Sequence, residues 1–174
     1  RQKGLRGLRE YWSGKAAYVT HALHAPGSGP GCWANEAYPN WNRQDVIEIS
    51  PDDVPEGVPL TFEAYFYMTD ARRGPIMGLS RPFEHDGEKH QYHIALVQVR
   101  PLGISAGGIL RPAPVHACRW HQLRVDCDLD RQSMRITLDH CPVLPDGPMA
   151  DPATPSRTFT HFVISGSNFL QEIA

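Results

Sequence analysis

Hydrophobic and polar residues alternate most regularly between residues 120 and 140. One set of alternate positions is almost wholly apolar and is interrupted by a short polar break; it comprises His121, Leu123, Val125, Cys127 and Leu129, then Met134, Ile136 and Leu138. A period of two residues predicts strands with one dry and one wet face. We therefore predict a β-hairpin, with strands over 120–129 and 134–140, in an antiparallel sheet that faces water on one side.

Weaker versions of the same pattern recur along the chain. We predict further strands over 16–23, 45–49, 60–68, 75–80, 91–99 and 158–164, with a short strand or bend in 102–110. Segments 1–14, 25–42 and 142–156 are predicted to be irregular, the last because it holds five prolines, and 81–90 is predicted to be a polar excursion between strands. No stretch of ten residues or more has a helical period. The fold class predicted is all-β, an antiparallel two-sheet sandwich.

Strand 60–68 is the clearest strand of the first half, and it separates its side chains sharply. Large apolar residues and Ala64 occupy one face, whereas polar and tyrosine side chains occupy the other: Phe62, Ala64, Phe66 and Met68 against Thr61, Glu63, Tyr65 and Tyr67. This division again predicts one buried and one solvent-facing surface.

Length and charge limit the possible classes of protein. A chain of 174 residues fits one domain, which we place at 15–174 after a linker or irregular lead-in at 1–14. The formal net charge of -2 excludes the basic footprint of a nucleic-acid binder, so no nucleic acid is expected as a partner. No apolar run is long enough to cross a bilayer, and no membrane partner is expected. Because residues 172–174 resemble the start of another strand, we interpret the chain as part of a larger protein, either bacterial cytoplasmic or secreted.

The order of these segments resembles concanavalin A-like domains of the laminin-G type. The resemblance runs in order over roughly 45–174, through segments 60–67, 75–79, 92–96, 119–125 and 134–140. In that family a Trp-His pair, here Trp120 and His121, opens a strand. The next strand commonly ends in Asp-Gly, where this chain has Asp139 and His140. The resemblance implies a concanavalin A-like jelly roll, and the family includes sugar binders, adhesion modules and passive domains within enzymes.

A second resemblance covers the first part of the chain. Residues 19–24, 29–31 and 38–39 are similar to the lead-in of the lectin-like domain in the large subunit of N,N-dimethylformamidase. In that family another part of the subunit carries the iron-dependent amide hydrolysis. The resemblance therefore implies an accessory domain and no catalytic residue in this chain.

Three histidines in a short polar segment form a candidate metal site. His85, His90 and His93 lie among carboxylates, and imidazole is a common ligand of zinc and other transition metals. The favoured interpretation is a polar turn with Asp86 and Gly87 at its tip, because His90 and His93 fall on opposite faces of an extended strand. We predict no cofactor. The alternatives are a transition metal bound by these histidines, or calcium bound by loop aspartates such as Asp52, Asp53 or Asp86.

Aromatic residues in the predicted loop 25–42 form a candidate ligand site. Trp33, Tyr38 and Trp41 lie within nine positions of one another, and aromatic rings in loops either stack on sugars or pack over the end of a sandwich. Packing is the favoured interpretation and glycan binding the alternative.

Catalytic patterns are absent from the sequence. Asp126 and Asp128 share the wet face of their strand beside Arg124, which is typical of a solvated charge row. Sandwich hydrolases commonly carry Glu-x-Asp-x-Glu or a close relative on one strand, and this chain has no such motif. We predict no catalytic residue.

The four cysteines match no zinc spacing. If Leu129 paired with Met134, Cys118 and Cys141 would come close enough to consider a disulfide bond, although unbridged thiols are preferred.

Three hypotheses follow. The leading one is a non-catalytic accessory domain that packs against other domains or subunits of a larger enzyme. The alternative is a carbohydrate-binding module that uses the aromatic loop or a sheet face, with a glycan as partner. The third and least favoured is a small polysaccharide-degrading enzyme.

Overall fold

The computed structural model describes residues 8–10, 17–19, 32–34, 44–49, 51–68, 74–149 and 156–165. Regular structure in these ranges is β-strand, apart from two short 3-10 turns at Pro51–Asp53 and Ser156–Thr158. No helix among these residues is long and apolar enough to cross a membrane.

Thirteen strands are described. They are β1 (Leu8–Glu10), β2 (Ala17–Val19), β3 (Cys32–Ala34), β4 (Gln44–Glu48), β5 (Leu60–Tyr67), β6 (Ile76–His85), β7 (Glu88–Arg100), β8 (Gly103–Ala106), β9 (Ile109–Pro112), β10 (Trp120–Asp128), β11 (Ser133–Leu138), β12 (Cys141–Pro148) and β13 (His161–Ser165).

These strands form two large sheets in which all neighbours are antiparallel. The seven-stranded sheet has the order β1-β4-β13-β6-β7-β8-β9, and the four-stranded sheet has the order β12-β11-β10-β5. Strands β2 and β3 pair separately. From β4 onward the chain moves back and forth between the two large sheets, so residues distant in sequence meet on each face.

The core lies between the two large sheets. Alternate residues of β10 and β11 are buried, as the sequence pattern predicted, and they pack in one cluster with residues of β6, β7 and β8. Phe62 of one sheet contacts Phe162 of the other, with ring centroids 5.0 Å apart. Burial of this apolar surface is the main stabilising term for such a sandwich. The predicted fold class, an all-β antiparallel two-sheet sandwich, is confirmed.

The predicted hairpin at 120–140 is confirmed, but its register differs from the one considered. Cys127, not Leu129, pairs with Met134. Cys118 and Cys141 are not joined by a disulfide bond. Cys127 is fully buried, and this burial, with a smaller effect of the Asp126 charge, raises the pKa of its thiol to about 12.

The irregular crossing predicted for 142–156 is partly wrong, because residues up to Pro148 belong to strand β12. This strand is the outermost of its sheet, and the pairing of β11 with β12 is interrupted by register shifts. An edge strand tolerates proline because the missing N–H has no ladder partner to lose.

The polar segment 81–90 was predicted to be a turn between strands, and β6 and β7 continue through it as a long hairpin. The turn itself is where the sequence placed it. Asp86 and Gly87 both have positive φ, at 52° and 77°, as a two-residue type I′ turn requires.

Three smaller differences concern segments of weak pattern. Strand β3 lies within the predicted loop 25–42, and β1 lies within the lead-in 1–14, where it pairs with β4. The last strand begins at His161 rather than Thr158, after a 3-10 turn. Strands of three residues are too short to show alternation, so the sequence pattern could not reveal β1 or β3.

Candidate functional site

The aromatic loop residues are described only in part. Trp33 lies in β3, where its backbone pairs with Tyr18, while Tyr38 and Trp41 fall outside the described residues. Whether these three side chains share a surface therefore stays a prediction.

The three candidate metal-binding histidines lie on one hairpin. In the backbone register His85 pairs with Glu88, His90 with Phe83 and His93 with Ser80. Only their backbones are described, so metal binding by these side chains stays a prediction. Asp52, Asp53 and Asp86 are exposed, and the described part of the chain contains no group of three potential metal ligands.

A different surface brings aromatic and polar side chains together on described residues. We call it the outer face: the solvent-facing side of β5 and β10, formed by Thr61, Glu63, Tyr65, Tyr67, Trp120, Gln122, Arg124 and Asp126. Strand alternation creates it, since Phe66 and His121 point inward while their neighbours point outward. The β5–β10 register then sets Tyr67 opposite Trp120, and Tyr65 opposite Gln122.

One end of the outer face is aromatic. The rings of Tyr67 and Trp120 lie 5.6 Å apart between centroids and are inclined by 58°. Tyr65 follows on the same strand and is 46% exposed. Desolvation raises the pKa of Tyr67, and the neighbouring Cys118 thiol raises it further, so the tyrosine keeps its hydroxyl proton at neutral pH. The rings can stack on an apolar ligand surface while this hydroxyl offers a hydrogen bond.

The other end of the outer face is polar. The Gln122 side-chain amide donates to the Glu63 carboxylate over 2.6 Å. Arg124 donates to Asp126 from Nε at 3.1 and 3.2 Å and from Nη2 at 3.0 Å, and Thr61 donates to the same carboxylate over 2.5 Å. Desolvation acts to raise the pKa of Asp126, but the hydrogen bonds from Arg124 and Thr61 outweigh it and the pKa is lowered. This surface therefore presents several oriented hydrogen-bonding groups beside the rings.

A buried histidine, His121, paired with the partly exposed Asp139, supports the outer face from beneath. His121 Nδ1 lies 2.7 Å from Asp139 Oδ2, and the histidine side chain has no exposed surface. The other carboxylate oxygen of Asp139 accepts the Gln122 N–H over 2.9 Å, and the Asp139 N–H donates to the Gln122 carbonyl over 2.9 Å. The aspartate thus fixes the strand between Trp120 and Gln122, the residues on either side of His121.

The geometry of the histidine–aspartate pair indicates a role in stabilising the fold and not in catalysis. His121 Nε2 accepts the backbone N–H of His116 over 3.0 Å, and its ring stacks on Phe66 at 5.4 Å. A general base must reach the proton it removes, and a fully buried ring with both nitrogens engaged within the fold does not. Asp126 is equally unsuited to a general acid role, because its lowered pKa keeps it ionised at neutral pH.

The sequence pattern contained part of this site. It separated Tyr65 and Tyr67 from the core face of their strand and placed Trp120 at the start of a strand. It did not indicate that β5 and β10 are neighbours, since the strands between them in the chain, β6 to β9, belong to the other large sheet. Knowledge of the β5–β10 pairing would have been needed to predict that Tyr67 and Trp120 lie side by side.

Solved structures to which this chain is similar include a sialidase and a carbohydrate-binding module. A sialidase shares a TM-score of 0.44 at 7% identity over 72% of this chain, which spans only 10% of the sialidase. The carbohydrate-binding module CBM66 from Bacillus subtilis shares a TM-score of 0.42 at 12% identity over 91% of this chain and 86% of that module. The sequence matches no family model and no curated protein. The resemblances to laminin-G domains and to N,N-dimethylformamidase therefore stay predictions.

Proposed function

We propose that this chain is a non-catalytic domain that binds a glycan on its outer face. The observation that carries the proposal is the pairing of Tyr67 with Trp120 beside the Gln122–Glu63 hydrogen bond. Sugars present apolar C–H faces and a rim of hydroxyls, so a receptor needs flat rings next to donors and acceptors. The outer face supplies both on two adjacent strands, whose rigidity reduces the ordering cost of binding.

Strand pairing and one turn residue position this surface. Asp139, in the turn after β11, holds the start of β10 through the buried His121, and the ladder to β5 holds the tyrosines. Residues that flank the rings are exposed enough to reach a ligand, with Tyr65 the most exposed aromatic side chain of the face. An extended, open surface of this kind fits a sugar chain better than a small enclosed substrate.

Titration of the purified chain with a panel of soluble oligosaccharides, followed by calorimetry or tryptophan fluorescence, tests the proposal. We expect Trp120→Ala to weaken binding at least about tenfold, because a central ring carries a large share of binding energy. Ser133→Ala, on the same sheet but away from the rings, is the matched control. Binding that is lost in Trp41→Ala and kept in Trp120→Ala would move the site to the aromatic loop.

A second candidate, packing against another domain of a larger protein, is favoured by a separate observation. Beside β5, which forms the opposite edge of its sheet from β12, an apolar cleft of about 380 Å³ opens between the sheets. Its apolar lining consists of Ile49, Leu60, Phe62, Ala64, Leu79 and Phe162. Edge strands and apolar clefts are common sites for strand addition and packing.

Hydrogen exchange tests this second candidate. Slower exchange of the β5 amides in a longer product of the same gene than in this chain alone would support domain packing. Equal exchange in both would contradict it.

A further inference from the structure

The charged groups of the outer face indicate which glycans it accepts. We propose that Asp126, by holding the guanidinium of Arg124, restricts the outer face to neutral sugars and excludes uronic acids and sulfated sugars. The inference rests on the proposed glycan binding and adds the ligand class to it.

Arg124 is the central cation of this surface, and its side chain is 49% exposed. An exposed guanidinium next to aromatic rings would ordinarily attract a carboxylate or a sulfate, because its planar fork matches such anions. In this structure the fork is already occupied. One edge binds both oxygens of Asp126, and Nη1 on the other side lies 3.9 Å from Glu63 Oε2.

The surrounding groups reinforce this arrangement. Thr61 adds a hydrogen bond to Asp126, and the nearest cation on the adjacent strand, Arg135, donates to the carbonyl of Pro145. An anionic sugar chain that runs from the rings along β5 and β10 would therefore meet two carboxylates, Glu63 and Asp126, beside a guanidinium that is already bound. Repulsion of like charges is an effective way to reject a competing ligand.

A neutral sugar meets no such penalty. Its hydroxyl groups can donate to carboxylate oxygens that are already ionised, and these charge-assisted hydrogen bonds are stronger than neutral ones. The lowered pKa of Asp126 is consistent with a permanently ionised acceptor at neutral pH. The rings inclined by 58° cannot both lie flat on one planar chain, so one ring stacks on a sugar residue while the other borders it.

The test compares neutral oligosaccharides of glucose, xylose and galactose with oligogalacturonate and a sulfated galactan oligosaccharide. For the unaltered chain we expect binding of at least one neutral ligand and at least tenfold weaker binding of the anionic ones. Asp126→Asn keeps the shape of the side chain and removes its charge. We expect it to tighten anionic binding at least tenfold, in a manner that weakens with added salt, while neutral binding weakens because one charge-assisted acceptor is lost.

Asp128→Asn, one step further along β10, is the matched control and should leave the selectivity unchanged. Asp126→Ala serves as a second variant, with the same expected direction. Anionic binding equal to neutral binding in the unaltered chain, or unchanged selectivity in both Asp126 variants, would overturn the inference. Either result leaves the proposed function standing if Trp120→Ala still abolishes binding, whereas absence of any glycan binding overturns both.

Discussion

Removal of the Asp139 carboxylate tests its contact with the buried His121 beneath the outer face. In Asp139→Ala the Nδ1–H of His121 loses its acceptor, and the backbone N–H of Gln122 loses another. A buried donor without a partner costs about 1–3 kcal/mol. Residue 139 also has φ of 49°, a left-handed conformation that costs alanine roughly 1 kcal/mol more than a residue that adopts it readily.

We therefore expect Asp139→Ala to lower the free energy of unfolding by about 3 kcal/mol, of which about 2 kcal/mol comes from the buried Nδ1–H of His121 and about 1 kcal/mol from the backbone at residue 139. For a domain of this size that corresponds to a fall in Tm of roughly 6–12 °C. Urea denaturation followed by tryptophan fluorescence measures the change, with an unaltered m-value as the check on two-state unfolding. Asp139→Asn, which tolerates the same backbone conformation and keeps one acceptor oxygen, should cost less.

Asp146→Ala, a substitution of an exposed aspartate on β12, is the control and should change stability by no more than about 0.5 kcal/mol. The reasoning fails if Asp139→Ala is as stable as this control. It also fails if Asn and Ala at position 139 destabilise equally, since the backbone and acceptor contributions would then be misassigned.

Three further outcomes are expected. First, the pKa of Asp139 is lowered in the folded chain: desolvation acts to raise it, but the hydrogen bonds from Gln122 and His121 outweigh that effect. The ionised carboxylate therefore stabilises the fold above the ordinary carboxyl pKa of about 3.9, and this stabilisation is lost as pH falls through the lowered value. Urea midpoints between pH 6 and 2 should therefore fall less steeply in Asp139→Asn, and an identical slope would contradict this. Second, alkylation by iodoacetamide at pH 8, mapped by mass spectrometry, should label Cys141 and spare Cys127 until denaturant is added. Third, Gly78→Ala should destabilise by more than about 1 kcal/mol in thermal unfolding, because its Cβ would lie 2.0 Å from the Ala95 carbonyl oxygen; a Tm equal to that of the unaltered chain would show that β6 and β7 separate easily.

The sequence pattern predicted the fold class well because antiparallel strands leave a period of two wherever one face is buried. Strands β5, β10 and β11 each show it, and the inward residues Leu123, Val125 and Ile136 have no exposed surface. The pattern fails where strands are very short or contain prolines. Strand β12 contains Pro142 and Pro145, and such residues ordinarily predict an irregular segment.

The candidate site was harder to predict because it depends on contacts between distant parts of the chain. The pair Trp120-His121 and the turn at Asp139 both contribute to the resemblance to laminin-G domains. In the structure they are connected by the 2.7 Å contact between His121 Nδ1 and Asp139 Oδ2. No local pattern could show that Tyr67 faces Trp120, since strand order is set by the packing of the whole sandwich. The residues of the aromatic loop and of the histidine segment are close in sequence, so each group could be predicted as a candidate site without knowledge of the strand order.

Glycan binding by Trp120→Ala and Tyr67→Ala, measured beside Trp41→Ala in one calorimetric series, tests the central claim most directly. We expect the unaltered chain to bind a neutral oligosaccharide, the two outer-face variants to lose at least about tenfold in affinity, and Trp41→Ala to bind as the unaltered chain does. Because Tyr67 and Trp120 are partly exposed, circular dichroism and Tm should show that both variants remain folded. Undiminished binding by both folded outer-face variants would contradict the assignment of glycan binding to this surface.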